Sequence, residues 1–215
     1  MTDLLWTHAD APKATLLLAH GAGTAMDSTF MEKIANHLAS NDVSVVRFEF
    51  AYMAGRRTGG SKRPPPKAEK LIGEFQTALQ AILQTCEGPV LIGGKSMGGR
   101  VAAMLAGGAS LPARAKGVVC LGYPFHKVSK EVTDSDWRLE PLEESKRPVL
   151  ILQGERDQFG SQAELAGMSL PETVTVSYLE DGNHDFGPRG RSPATLDGNI
   201  ENAAKLIAEF AEGLQ

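Results

Sequence analysis

Short, nearly continuous apolar runs punctuate this chain: Ala14 to Ala19, Val43 to Phe48, Pro89 to Ile92, Gly117 to Leu121, Pro148 to Leu152 and Val174 to Leu179. Unbroken apolarity over such lengths fits strands buried on both faces, and segments of helical period separate them. Strands alternating with helices specify a parallel sheet with helices on both sides. Leu4 to Thr7 reads as a short extra edge strand. The expected architecture is therefore α/β: a mostly parallel sheet of about six to seven strands without a large lid, spanning residues 1–215 as one domain. The 42% hydrophobic content of the 215 residues is enough for one sizeable core.

Helices are expected over about Ser28 to Ala39, Ala68 to Thr85, from Met97 onward, Ser161 to Met168 and Leu196 to Leu214. Phe30, Ile34 and Leu38 share one face, and Thr29 with Glu32 has the spacing of a capping box. The segments Ala51 to Lys67 and Pro124 to Arg147 read as long loops, where sites gather in open α/β sheets.

One strand-to-helix junction carries chemistry. Val90-Leu91-Ile92 leads into Gly94-Lys95-Ser96-Met97-Gly98, and a small-residue helix follows. G-x-S-x-G at such a turn is a nucleophile elbow: it lifts a serine hydroxyl above the sheet edge, and the next backbone N–H, of Met97, faces a developing oxyanion. A phosphate-binding loop shares the Gly-Lys-Ser ending but needs a glycine where Pro89 stands, so that reading fails. Past the following strands come Asp157 and His184, in the chain order serine, acid, histidine that suits a triad. His184 is expected as the general base and Asp157 as the group that fixes its tautomer. His126 is the alternative base or a pocket residue, and Asp134, Asp136, Asp181 and Asp185 are competing acids. His20-Gly21-Ala22-Gly23, after the first long apolar run, offers the Ala22 N–H as second oxyanion donor, with His20 bonding the loop backbone.

The constellation resembles the α/β-hydrolase superfamily over nearly the whole chain. Within it, His20-Gly21-Ala22-Gly23, Arg47-Phe48-Glu49-Phe50, Tyr52-Met53, Arg63-Pro64-Pro65-Pro66, Gly94 to Arg100 and Gly122-Tyr123-Pro124 look like the small dienelactone-hydrolase-like branch. The nearest resemblance is to the subfamily containing a testis-expressed protein and a chromatin-complex subunit. Dienelactone hydrolases proper carry a cysteine where this chain has Ser96. The resemblance implies a serine hydrolase, while the chromatin-associated relatives add a scaffold module as an alternative.

The expected substrate is a small-molecule carboxylic ester or thioester, cleaved through an acyl-enzyme, with acyl transfer as a further alternative. Lys95 and Arg63 are candidate substrate-binding residues. Arg63 lies in a basic loop with Arg56, Arg57 and Lys62 that either recruits an anionic group or is solvated surface; Lys95 could instead pair with a neighbouring carboxylate. A net charge of −4 argues against nucleic-acid or membrane-surface binding. No apolar run reaches the length of a membrane span, and the first residues lack a secretory leader pattern. Two cysteines give no disulfide framework, which points to the cytoplasm. No cofactor is expected, and no metal, because histidines and acids lack ligand spacing. The sequence leaves the oligomeric state open.

Overall fold

In the computed structural model, residues 3–57, 59–61, 64–109 and 111–214 are described. The apolar runs form β1 (Leu4–Thr7), β2 (Ala14–Ala19), β3 (Val43–Phe48), β4 (Val90–Lys95), β5 (Ala115–Leu121), β6 (Val149–Gly154) and β7 (Val174–Leu179). They make one 7-stranded sheet in the order β1-β3-β2-β4-β5-β6-β7. Only the edge strand β1 is antiparallel, pairing with β3.

Helices α1 (Thr29–Ala39) and α7 (Leu196–Glu212) cover one face, and α3 (Ile72–Leu83) and α4 (Met97–Gly107) the other. Strand alternation feeds both layers. Leu16 and Leu18 join Ile34, Leu38, Ile200 and Ile207, whereas Leu17 joins Phe48, Phe75, Leu79 and Ile82. Each fully buried aliphatic side chain contributes about 1.5–3 kcal/mol, so both layers help to hold the sheet against which the loops are set.

The differences from expectation lie at element ends. β4 continues through Gly93 and Gly94 to Lys95, because those glycines pair with Leu18, Ala19, Val119 and Cys120 in the ladder. A side chain at Gly93 would strike the Val119 carbonyl, so the absence of a Cβ admits the neighbouring strand. Residues 68–71 form a 3-10 turn before α3, rather than its first turn. The segment expected as a loop after β3 begins with α2 (Ala51–Arg57), and the loop after β5 holds α5 (Glu140–Glu143). Helix α6 (Gln162–Leu165) is shorter than the expected 161–168 and carries a capping box between Ser161 and Glu164. Thr29 and Glu32 make no such box; Ser28 is the cap residue, without a side-chain bond. Among the described residues no helix is long and apolar enough to cross a membrane.

Candidate active site

Strands β4, β6 and β7 all end at one edge of the sheet, and Ser96, Asp157 and His184 follow them. Ser96 has φ 52 and ψ −114, a left-handed conformation that costs a non-glycine residue about 1–3 kcal/mol and persists where packing enforces it. The enforcement is visible on both sides. The Ser96 N–H donates to the Leu121 carbonyl at 2.9 Å, and the Ser96 carbonyl accepts from Arg100 N–H at 3.1 Å. A Cβ at Gly94 would run into the Gly98 backbone, and one at Gly98 would lie 2.6 Å from the His20 carbonyl oxygen. The glycines thus let α4 close onto both β4 and the loop after β2.

Asp157 is fully buried. Its Oδ1 accepts the Phe159 N–H at 2.9 Å, and its Oδ2 faces His184 Nδ1 at 2.8 Å and the Gln153 amide at 3.0 Å. A carboxylate only accepts, so His184 must donate from Nδ1, which leaves the Nε2 lone pair on the far side of the ring. Gln153 is not legible in the sequence as a site residue, because a glutamine inside a strand gives no local signal. Its Nε2 also donates to the carbonyls of Tyr123 and Gly160, at 3.2 and 2.9 Å. The amide therefore joins the loops after β5 and β6 to the acid.

The histidine loop is held by polar bonds. Lys95, the residue before the nucleophile, is 4% exposed; its Nζ donates to the His184 carbonyl at 2.8 Å and pairs with Asp185 at 3.2 Å. Burial pushes its amine below the ordinary lysine value, and Asp185 opposes the shift. Among the alternatives for Lys95, the carboxylate pair is the arrangement found, and the ammonium is turned to the His184 loop. Asp181 pairs with Arg156 and Arg189 and is lowered to about 2, chiefly by its hydrogen bonds to Arg189. Asn199 of α7 donates to the carbonyls of Glu180 and Phe186. The ring of His184 packs on Phe159 with centroids 4.4 Å apart.

The glycine loop after β2 is held differently. His20 is fully buried, and its ring donates from Nδ1 to the Gly21 carbonyl at 2.6 Å while Nε2 accepts the Phe50 N–H at 3.1 Å. That pattern requires neutral imidazole, and burial holds the group below the ordinary histidine value. The Tyr52 hydroxyl donates to the Ala22 carbonyl at 3.0 Å. Among the described residues no acceptor takes the N–H of Ala22 or of Met97.

Ala22, Ser96 and Met97 line one cleft of about 280 Å³ together with Lys67, Arg100, Pro124, Arg138 and Phe159. His184 packs on Phe159 and is not among the residues that line this cleft, and no hydrogen bond joins it to the Ser96 hydroxyl among the described residues. The two residues are linked instead through the Lys95 side chain, and on the other side the Ser96 N–H bonds Leu121, next to Gly122, where a Cβ would lie 3.2 Å from His184 Nδ1. His126 is not among the residues lining the cleft; its ring is buried against Trp137, 3.5 Å from Glu164, and its backbone N–H bonds the Phe159 carbonyl. Arg57 is committed to Glu49 and Asp27, and Arg56 lies over the Tyr52 ring. Arg63 and Lys62 fall outside the described residues. Of the competing acids, Asp181 and Asp185 have the partners given above, and Asp136 accepts from the N–H and hydroxyl of Thr133, the cap residue of the 3-10 turn 134–136.

A family profile described as an alpha/beta hydrolase domain matches residues 12–212. The chain belongs to that family. Solved structures agree on the fold. An alpha-beta serine hydrolase homologue from Coxiella burnetii is similar at 16% identity with TM-score 0.67, over 97% of this chain and 91% of that one. A serine hydrolase without a lid from Xanthomonas campestris is similar at 18% identity and TM-score 0.65, covering 96% and 89%. A dienelactone hydrolase from Anabaena variabilis is similar at 18% identity and TM-score 0.66, covering 99% and 92%.

Proposed function

We propose that this α/β hydrolase cleaves a small carboxylic ester or thioester through an acyl-enzyme on Ser96. The reading is carried by the Asp157–His184 pair at 2.8 Å, set on the same sheet edge as the left-handed Ser96 turn. His184 Nε2 takes the hydroxyl proton as the Ser96 oxygen bonds to the carbonyl carbon. The carbonyl electron pair moves onto oxygen, where the Met97 and Ala22 N–H groups receive it. Collapse of the adduct breaks the bond to the leaving oxygen or sulfur, which takes the proton from His184. Water then repeats the sequence, releasing the acid and restoring Ser96. Reaction requires the hydroxyl and the imidazole to come within hydrogen-bond reach, as catalytic contacts often do only once substrate is bound.

The finer kinship, with the subfamily of a testis-expressed protein and a chromatin-complex subunit, is part of the same proposal and rests on the sequence segments named above. The test is turnover of short p-nitrophenyl esters by the native protein and by Ser96→Ala at equal folded concentration. Loss of turnover in the variant is expected; undiminished turnover would remove Ser96 from the mechanism.

A further inference from the structure

Among the described residues that line the cleft of Ser96, the charged ones are Lys67, Arg100 and Arg138, and none is a carboxylate. Arg138, on the loop after β5, is half-buried. Its one side-chain hydrogen bond, to the Pro124 carbonyl, is 3.3 Å long, and among the described residues no carboxylate pairs with it. Arg100 lies in α4, four residues past the nucleophile, which places it about 6 Å further along the helix axis. Glu69 meets its guanidinium at 3.2 Å on one nitrogen, and its Nε is buried without a partner. Burial lowers the Arg138 pKa and the nearby Arg100 charge lowers it further, against the smaller opposing pull of Asp136 and Glu69.

Two guanidinia kept close together and partly out of water are costly unless an anion joins them. Arginine binds carboxylates with a planar, two-pronged match that a structural tie to one carbonyl does not use. The basic end of α2 at Arg56 and Arg57 is no rival, since Arg57 already has its carboxylates and Arg56 covers Tyr52.

We propose that Arg138 and Arg100, with Lys67 at the rim, form a subsite for a carboxylate carried by the ester itself, a few bonds from the carbonyl that Ser96 attacks. The inference deepens the hydrolase reading and rests on it. A cleft of about 280 Å³ confines the group it takes to a short one. The substrate class is thus a half-ester of a short dicarboxylic acid, or an acyl ester of a short hydroxy acid.

The test compares four esters with the native protein: monomethyl glutarate and its terminal amide, and 4-acetoxybutanoate and its amide. The first pair carries the carboxylate on the acyl side and the second on the leaving side. In at least one pair the anionic ester should have kcat/KM about tenfold or more above its neutral amide, the size of a charge-assisted contact. Arg138→Gln should bring that ratio close to one. A purely structural arginine would lower both members of a pair together and leave the ratio alone. Equal turnover of both members in both pairs would overturn the subsite.

A second readout needs no catalysis: glutarate should raise the thermal midpoint of Ser96→Ala, and inorganic phosphate should raise it less. Glutarate protection without native turnover of any ester would sink the hydrolase reading and keep the subsite. Ester turnover without discrimination or protection would do the reverse, and stronger protection by phosphate would overturn the carboxylate assignment.

Discussion

Two loops at the same sheet edge hold groups for the same reaction and are built from opposite materials. The His184 loop is fastened by charge: Lys95 on its backbone, Arg156 and Arg189 on Asp181, and buried Asp157 on the ring. The glycine loop is fastened around Ala22 by neutral groups, namely the His20 ring, the Tyr52 hydroxyl and edge contacts to Phe50, and charged partners meet it only further on, Arg47 and Glu49 at Met26 and Arg57 at Asp27. The base must accept a positive charge during the reaction, so fixed anions and dipoles around it help at every step. The oxyanion loop must hold still while negative charge grows beside it, and a neutral His20 keeps a competing cation off its own backbone.

The largest effect should come from the charged side. Asp157→Asn removes the acceptor that orders the imidazole, and turnover should fall by about 10³- to 10⁴-fold with the fold retained. Steady-state kinetics with circular dichroism checks this, and a loss under tenfold would deny Asp157 its role. Lys95→Met comes next. The His184 carbonyl loses its tie while the Asp157 contact remains, so kcat should drop about ten- to hundredfold with little change in KM. A change confined to KM would instead make Lys95 a substrate contact.

The neutral loop predicts a pH response. The folded-state pKa of His20 lies below its unfolded value, so below about pH 6.5 the unfolded chain binds a proton that the folded chain refuses. The stability present above that value is lost as pH falls, by up to about 1.4 kcal/mol per pH unit for this group. Urea unfolding of native protein and of His20→Gln between pH 5 and pH 8, a window of about three units around the histidine value, measures it. An unchanged slope in the variant would place the sensitivity elsewhere. The smallest effect is Tyr52→Phe, which removes one hydrogen bond to Ala22 and should cost about 0.5–1.5 kcal/mol in stability, with a few-fold slower turnover. A turnover loss as large as that of Asp157→Asn would contradict the supporting role given to Tyr52.

The sheet was legible because buried strands leave unbroken apolar runs, and each run named in the sequence is a strand of the structure. Strand ends were less legible. Gly93 and Gly94 look like turn residues, yet they pair in the ladder, where β5 comes too close to Gly93, and α4 too close to Gly94, for a side chain. Asp157, His184 and the His20 ring could be placed from chain order and glycine spacing. Residues that act across the fold could not. Gln153 reaches Asp157 only because the loop after β6 turns back at Gly154, and Arg138 reaches the cleft only because Tyr123 and Phe125 anchor its backbone. Lys95 stands out in the sequence for its position beside the nucleophile, but which way it turns depends on Asp185, ninety residues on in the chain.

The central claim is that His184, held by Asp157, activates Ser96. Labelling with a fluorophosphonate, followed by mass spectrometry of the modified peptide and repeated on His184→Ala, tests it most directly. The account predicts a covalent phosphonyl group on Ser96 in the native protein and labelling slowed by about a hundredfold or more in the variant. Modification of another residue, or equal labelling rates with and without the imidazole, would contradict it.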